Sequence, residues 1–284
     1  MNKKGVKISL FILGSILFIV IAFIVYYNVV TYGVELDKHK LINLNSSIEF
    51  LDSCDNTIEA WSDDKNVINA DDIPEYTLNA FVAIEDKRFY SHNGVDVKGV
   101  LRAFINNIKS FSFKEGASTI TQQLIKNTHL SDEKTLNRKL SEIKLARQLE
   151  KDYSKREILE MYVNTIYFGD GCYGITSAAN NYFGITPSKL SINQSAALAG
   201  IIKAPAIYSP KISPELCNER KNVVLKEMYE QNFIEKNEFD KYKNEAIVTQ
   251  SIDKKTRSPY LDLVKNELDG ILDKSTFSNA KIKV

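Results

Sequence analysis

Cysteine and histidine are scarce and scattered. Cys54, Cys172 and Cys217 and the histidines His39, His92 and His129 show neither the spacing of a disulfide framework nor that of a zinc site. A stapled secreted scaffold and a zinc protein are therefore disfavoured. Charge of one sign is also missing in excess, with 37 Lys and Arg against 36 Asp and Glu, so no global field draws the chain to nucleic acid. Phosphate-cradling glycine loops, HExxH and GxSxG are absent. SxxK recurs, as from Ser131 to Lys134 and from Ser141 to Lys144, but without the SxN and KTG companions that would make it an acyl-transfer site. Internal repeats and low-complexity runs are absent as well. What remains is a 284-residue chain with 44% apolar and 26% charged residues, enough to bury a core in one or two domains.

One region concentrates the apolar residues. From Ile8 to Val34 there is no charge, and about 20 such residues suffice to cross a hydrocarbon core. A cleaved signal peptide would have an apolar region of only about 7–15 residues before a small-x-small site, so residues 1–34 are read as a cytoplasmic tail and transmembrane anchor. Lys3, Lys4 and Lys7 precede any acid, and without them the rest of the chain has 34 basic against 36 acidic residues. By the positive-inside rule the amino terminus faces the cytoplasm and everything after Glu35 lies outside. Tyr26, Tyr27 and Tyr32 fit the outer aromatic belt. An exported domain on one anchor has no ATP to draw on, which narrows the chemistry.

Residues 35–70 are polar with short β-branched patches and read as a linker and lead-in. Beyond them the pattern is helical. Asp72 with Pro74 opens a helix through Ile84, Asp96 caps the next, and Ser118 or Thr119 caps TITQQLIKN. Ser154 with Glu157, and Ser191 with Gln194, are capping boxes. Pro214 and Pro259 open two later helices. Leu136, Leu140, Ile143, Ala146 and Leu149 form an amphipathic stripe. No alternating strand pattern of comparable length occurs, so the fold class is mostly α. The divisions that follow are 71–235 for the main domain and 236–284 for a helical connector.

The polar residues cluster in three segments. EDKRFYSHNG, from Glu85 to Gly94, sets two adjacent acids at a helix end, followed by Phe89 and His92. EGASTITQQLIKN carries Thr119, Gln123, Lys126 and Asn127 at helical steps, a side of hydroxyl, amide and ammonium groups suited to sugar and phosphate. RKLSEIKLARQLE sets Arg138 and Lys139 four and three residues before Glu142. Singly, each reads equally well as a solvated turn, a capped polar face or a surface ion pair.

Their order and spacing resemble the family 51 glycosyltransferases, the peptidoglycan glycosyltransferases found alone or as the amino-terminal half of class A penicillin-binding proteins. The three segments are similar to the family's first three motifs, KREILEMYVNTIYFG to the fourth, and CYGITSAANNYFG with ALAGIIKAPAIYSP to the fifth. The resemblance implies a lysozyme-like fold on a single amino-terminal membrane helix. It also implies a lipid II substrate, polymerised into β-1,4 glycan with release of polyprenyl pyrophosphate. Glu85 matches the catalytic base, and Glu142 the second essential glutamate, which orients cations, helps hold a metal or delivers a proton. Lys126, Arg138 and Lys139 match the pyrophosphate contacts. Thr119 and Gln123, with Ser118 and Asn127 beside them, match substrate contacts, and Asp86, Phe89 and His92 shape the site. Burial by Phe89 and the like charge of Asp86 are expected to raise the pKa of Glu85.

The same resemblance implies a magnesium or manganese ion and no organic cofactor. The partners it implies are the growing glycan chain, the bilayer, penicillin-binding transpeptidases and other cell-wall synthesis proteins, with no nucleic acid among them. The chain departs from the pattern at Ala117, where glycine is usual, and at Gln194, where glutamate is usual; Cys172 reads as a small buried residue. Leu101, Phe104, Ile105 and Ile108, leading to Phe111 and Phe113, are expected to dip into the membrane beside the lipid tail. The ending SPYLDLVKNELDGIL…NAKIKV resembles the connector to a transpeptidase, and without the SxxK, SxN and KTG set the chain is expected not to acylate with penicillin. Two other readings compete. A lysozyme-like hydrolase shares fold and polymer but has no need of a cation cluster for pyrophosphate. A non-catalytic cell-wall scaffold is opposed by intact Glu85 and Glu142.

Overall fold

The chain is seen in a computed structural model that describes residues 3–42, 47–51, 57–62, 67–110, 118–130, 133–249 and 280–283. Helix α1 (Lys3–Val30) contains the apolar stretch Phe11–Val30, 20 residues with none buried against the rest of the chain. An apolar helix uncovered over that length fits a single membrane span. Just past its carboxyl-terminal end Thr31 is buried. Tyr26 Oη donates to Asn137 Oδ1 at 2.6 Å, and Lys144 Nζ donates to the Thr31 carbonyl at 2.8 Å. The anchor is thus joined to the helix that carries Glu142.

The lead-in holds more regular structure than its composition suggests. Helix α2 (His39–Ile42) follows an ion pair between Lys38 and Asp152, and Leu41 reaches the main core. Strands β1 (Ser47–Leu51) and β2 (Thr57–Ser62) pair antiparallel, with a register shift between Phe50 and Leu51. Strand β3 (Ala280–Lys283) lies parallel to β1 on its other side, giving the order β2-β1-β3. Strands this short leave no alternation long enough to read, and the parallel partner lies more than 200 residues away in sequence. The stretch expected as a helical connector accordingly begins with a helix and ends in a strand. The helix expected at Pro259 lies outside the described residues.

The main body is helical: α3 (Glu75–Glu85), α4 (Val97–Ser110), α5 (Ile120–His129), α6 (Leu136–Asp152), α7 (Lys155–Thr165), α8 (Ile175–Phe183), α9 (Ile192–Ile201), α10 (Pro205–Tyr208), α11 (Pro214–Glu230) and α12 (Lys236–Lys243). Helix α9 is apolar on nearly every side, and such a helix belongs in the interior. Its alanines let α3 and α11 close on it, while α5 packs on α6 and α7. Tyr162, Phe81 and Phe168 meet edge to face in the middle, with centroids 6.3 and 6.0 Å apart, the arrangement that ring quadrupoles favour.

Several helix starts agree with the sequence. Thr119, Ser154 and Ser191 each accept from the N–H three residues on, and Gln122, Glu157 and Gln194 reach back to complete the boxes. Gln194 therefore works as a cap. Pro214 is the first residue of α11, whereas Pro74 sits one place ahead of α3 as its cap residue. In the α6 stripe Leu140, Ala146 and Leu149 are buried, but Leu136, at the helix's first position, is exposed. On α4, Val97, Val100, Leu101 and Ile105 are exposed, while Ala103 is buried. Of the stripe expected to dip into the membrane, Leu101 and Ile105 are thus exposed, while the side chains of Phe104 and Ile108 are not among those described. Phe111 and Phe113, like Gly116 and Ala117, lie outside the described residues.

Candidate active site

Glu85 is the last residue of α3 and half-buried, and Asp86 forms the helix's C-cap. Gln123, in the first turn of α5, donates through Nε2 to Glu85 Oε2 at 2.8 Å, and its Oε1 accepts from the buried Tyr162 hydroxyl at 3.1 Å. The amide is thereby fixed with its donor end toward the carboxylate. Burial pushes the Glu85 carboxyl above the ordinary glutamate value. The Gln123 hydrogen bond and the charges of Arg220 and Lys203 oppose this, and the like charge of Asp86 is the weakest contribution. The result is a carboxylate held by an amide and poised to accept a proton.

Asp86 itself is buried and tied down. Its oxygens meet His92 Nε2 at 3.0 and 2.9 Å, and Oδ2 also accepts the Ile120 N–H at 3.0 Å. These bonds clamp the loop after α3 to the start of α5, so Asp86 and His92 position Glu85 and Gln123. Phe89 is fully buried, packed on Tyr90 and His92 with Lys155 Nζ 4.4 Å from its ring centre; it supports the loop from beneath. Gly94 closes the segment at φ +83°, and a Cβ there would meet the Ala146 carbonyl at 2.7 Å. Only glycine suits both the conformation and the close approach to α6.

The second glutamate is in a different setting. Glu142 is buried on α6 and accepts from Gln122 Nε2 at 3.0 Å, from Arg138 Nη1 at 3.1 Å and from Lys139 Nζ. Lys139 Nζ also donates to Ser118 Oγ at 3.2 Å. The Glu142 side chain is 3% exposed, that of Arg138 17% and that of Lys139 38%, so the anion lies beneath and the cations face outward. Arg138 Nε is buried and has no hydrogen-bond partner among the described residues. Two adjacent glutamines of one helix thus each hold one glutamate, Gln123 the base candidate and Gln122 the cation-bound one.

Thr119 departs from expectation. It is buried, and its hydroxyl accepts the Gln122 N–H while donating to the Gly94 carbonyl at 2.7 Å. A cap residue points back along its own helix, so Thr119 braces two motifs and does not share the open side with Lys126 and Asn127, which are exposed on the last turns of α5. Cys172 is buried as read. Gln122, Lys203 and Arg220 were not singled out from sequence. Gln122 was hidden by its capping role, and Lys203 lies in the fifth motif without a distinguishing spacing. Arg220 reaches Glu85 only through the packing of α11 on α3. No group of three His, Cys, Asp or Glu among the described residues converges as a metal site. Glu142 already faces two cations, so a protein-held divalent ion does not fit beside it.

With this geometry in view, relatives are informative. The family model described as Transglycosylase matches residues 55–229. Penicillin-binding protein 1A/1B of Bacillus subtilis (strain 168) is 40% identical over 247 residues, covering 84% of this chain and 27% of that protein. Penicillin-binding protein 1F of the same strain is 36% identical over 293 residues, covering 99% and 39%. Penicillin-binding protein 1A of Aquifex aeolicus (strain VF5) is 42% identical over 200 residues, covering 70% and 28%. The chain thus spans 27 to 39% of the length of these curated relatives. By the matched domain and the motifs assembled around Glu85 and Glu142, the chain belongs to the transglycosylase family, the peptidoglycan glycosyltransferases to which its motifs are similar.

Proposed function

We propose that this chain polymerises lipid II, the disaccharide-pentapeptide on polyprenyl pyrophosphate, into β-1,4 glycan at the outer face of the membrane. The observation that carries the reading is the contrast between the two glutamates. One is held by a neutral amide with its carboxyl raised by burial, and the other underlies a pair of outward cations. Glu85 takes the proton from the acceptor sugar's 4-hydroxyl as that oxygen attacks the donor's anomeric carbon. The C–O bond to pyrophosphate breaks in the same displacement, so an α-linked donor yields a β-linked strand. The leaving pyrophosphate keeps its electron pair and its charge is met by Arg138, Lys139 and Lys126. Magnesium or manganese, if bound, would supply further positive charge to the leaving pyrophosphate beside Arg138, Lys139 and Lys126.

A hydrolase of the same fold releases no pyrophosphate and has no use for cations stacked above Glu142. Incubation with lipid II in detergent, with products sized on a gel, is expected to give a ladder of long strands; disaccharide fragments from preformed glycan would support the hydrolase, and no reaction would support a scaffold. The orientation follows the positive-inside rule: a reporter fused after Glu35 is expected to work only outside the cell, and cytoplasmic activity would overturn it.

A further inference from the structure

The end of α3 that carries Glu85 is held by α11 as well as by α5. The chain leaves the helix at Asp86, with φ −154° and ψ 74°. Lys87, whose N–H would meet the Ala83 carbonyl in a continued helix, is thereby turned away, and that carbonyl is one of the four that a helix end leaves without an internal partner. Gln231 Nε2 donates to it at 2.9 Å. Four residues earlier on α11, Glu227 accepts from Lys87 Nζ. Helix α11 therefore takes hold of the chain two residues before Glu85 and two residues after it.

The holding residues are themselves fixed. Arg220, Glu227 and Gln231 stand at intervals of seven and four, which follow one side of a helix, and Arg220 is a cation whose charge acts on Glu85. Gln231 is the C-cap of α11. Beyond it Asn232 adopts a left-handed φ of 59°, with its N–H bonded to the Tyr229 carbonyl at 3.0 Å, and the Phe233 N–H bonds the Met228 carbonyl at 2.8 Å. This is a Schellman ending, in which asparagine is accepted at the left-handed position and the next apolar residue packs back on the helix. Phe233 lies against the core and Ile234 is buried in it, so Gln231 reaches Ala83 from a fastened root.

We propose that Glu227 and Gln231 are positioning residues for Glu85, holding the last turn of α3 so that the carboxylate stays buried and within reach of the Gln123 amide. Both act through α3. The role of the held carboxylate as base rests on the polymerase reading; the grip on the helix end does not. A helix-end carbonyl that loses its protein donor is satisfied by water, and water there opens the turn. Glu85, raised by burial, then falls back toward the ordinary glutamate range, so the pH dependence of the reaction reports the grip as well as its rate.

The test uses the full chain in detergent with lipid II, together with amide hydrogen exchange at residues 84–87 read by mass spectrometry. Gln231→Leu removes the donor without changing charge. It is expected to speed exchange at the end of α3 and to lower kcat about tenfold while KM for lipid II stays within about twofold. The acid limb of the pH–rate profile should move to lower pH, as the carboxylate becomes hydrated. Lys87→Met with Glu227→Met leaves the net charge unchanged and is expected to act in the same direction less strongly, because that pair is partly in water. If Gln231→Leu fails to fold, judged by circular dichroism, the methionine pair carries the test. Wild-type kcat with an unmoved acid limb in the folded variant overturns the proposal. So does a lowered kcat with an unmoved limb, the mark of a general loss of packing. Near-normal polymerisation by Glu85→Gln, with faster exchange in Gln231→Leu, overturns the assignment of the base and leaves the grip standing.

Discussion

Replacing Glu142 by glutamine separates the buried anion from the cations above it. Glutamine has nearly the same shape, but its NH₂ brings a donor to a position now facing Arg138, Lys139 or the Gln122 amide, all donors themselves. Removing one partner of a buried ion pair typically costs about 3–5 kcal/mol. Arg138 and especially Lys139 are partly in water and can turn outward, which sets the expectation at the low end, about 3 kcal/mol. With a urea slope of about 1–3 kcal/mol/M, the unfolding midpoint is expected to fall by about 1–3 M. Affinity for lipid II should fall too, because the two cations repel each other and no longer share one orientation. Adding Lys139→Met should recover part of the lost stability, as it removes one unpaired charge. A midpoint shift below about 0.3 M with unchanged lipid II affinity would refute the clamp, since it lies well under what any buried pair of this kind contributes.

Glu85→Gln is expected to lower polymerisation by about 10²–10⁴, the usual effect of losing a general base, with lipid II affinity little changed; near-normal turnover defeats the mechanism. Because burial raises the Glu85 carboxyl, the fraction ionised falls as pH drops through a value above the ordinary glutamate range, and activity should decline there. Gln123→Leu removes a donor that favours the ionised form, so the acid limb of the pH–rate profile should move to higher pH; a limb that stays or moves lower contradicts the assignment. Thr119→Ala is expected to cost about 2 kcal/mol, from a lost cap of about 1 kcal/mol and a lost bond to Gly94 of similar size, while turnover per folded molecule is kept. Reduced turnover at unchanged thermal stability would restore Thr119 as a substrate contact.

The helix starts at Thr119, Ser154 and Ser191 were legible because a cap is a bond between a side chain and a backbone N–H three residues on. The grouping of Arg138, Lys139 and Glu142 was legible for the same local reason, being set by helical spacing. Thr119 was misplaced because counting helical steps treats a cap residue as if it stood on the helix face. The role of Gln122 and the reach of Arg220 and Lys203 to Glu85 depend on how α5, α11 and the turn after α9 pack, and no short-range pattern encodes that. Strand β1 pairs with a segment near the far end of the chain, so its ladder left no local trace.

The bond from Tyr26 to Asn137 sets a height. A helix rises about 1.5 Å per residue, so Phe11–Val30 is about 30 Å long, the depth of a hydrocarbon core. Tyr26 stands about one turn from the outer end of that span, and Asn137 is the residue before Arg138. In the proposed orientation, and for the proposed lipid-linked donor, the anchor therefore acts as a gauge, holding the cation pair at the level where the donor's pyrophosphate would emerge from the bilayer. The donor can be gripped without lifting its chain out of the lipid, and a shortening of α1 by one turn would lower the grip by about 5 Å relative to the headgroups.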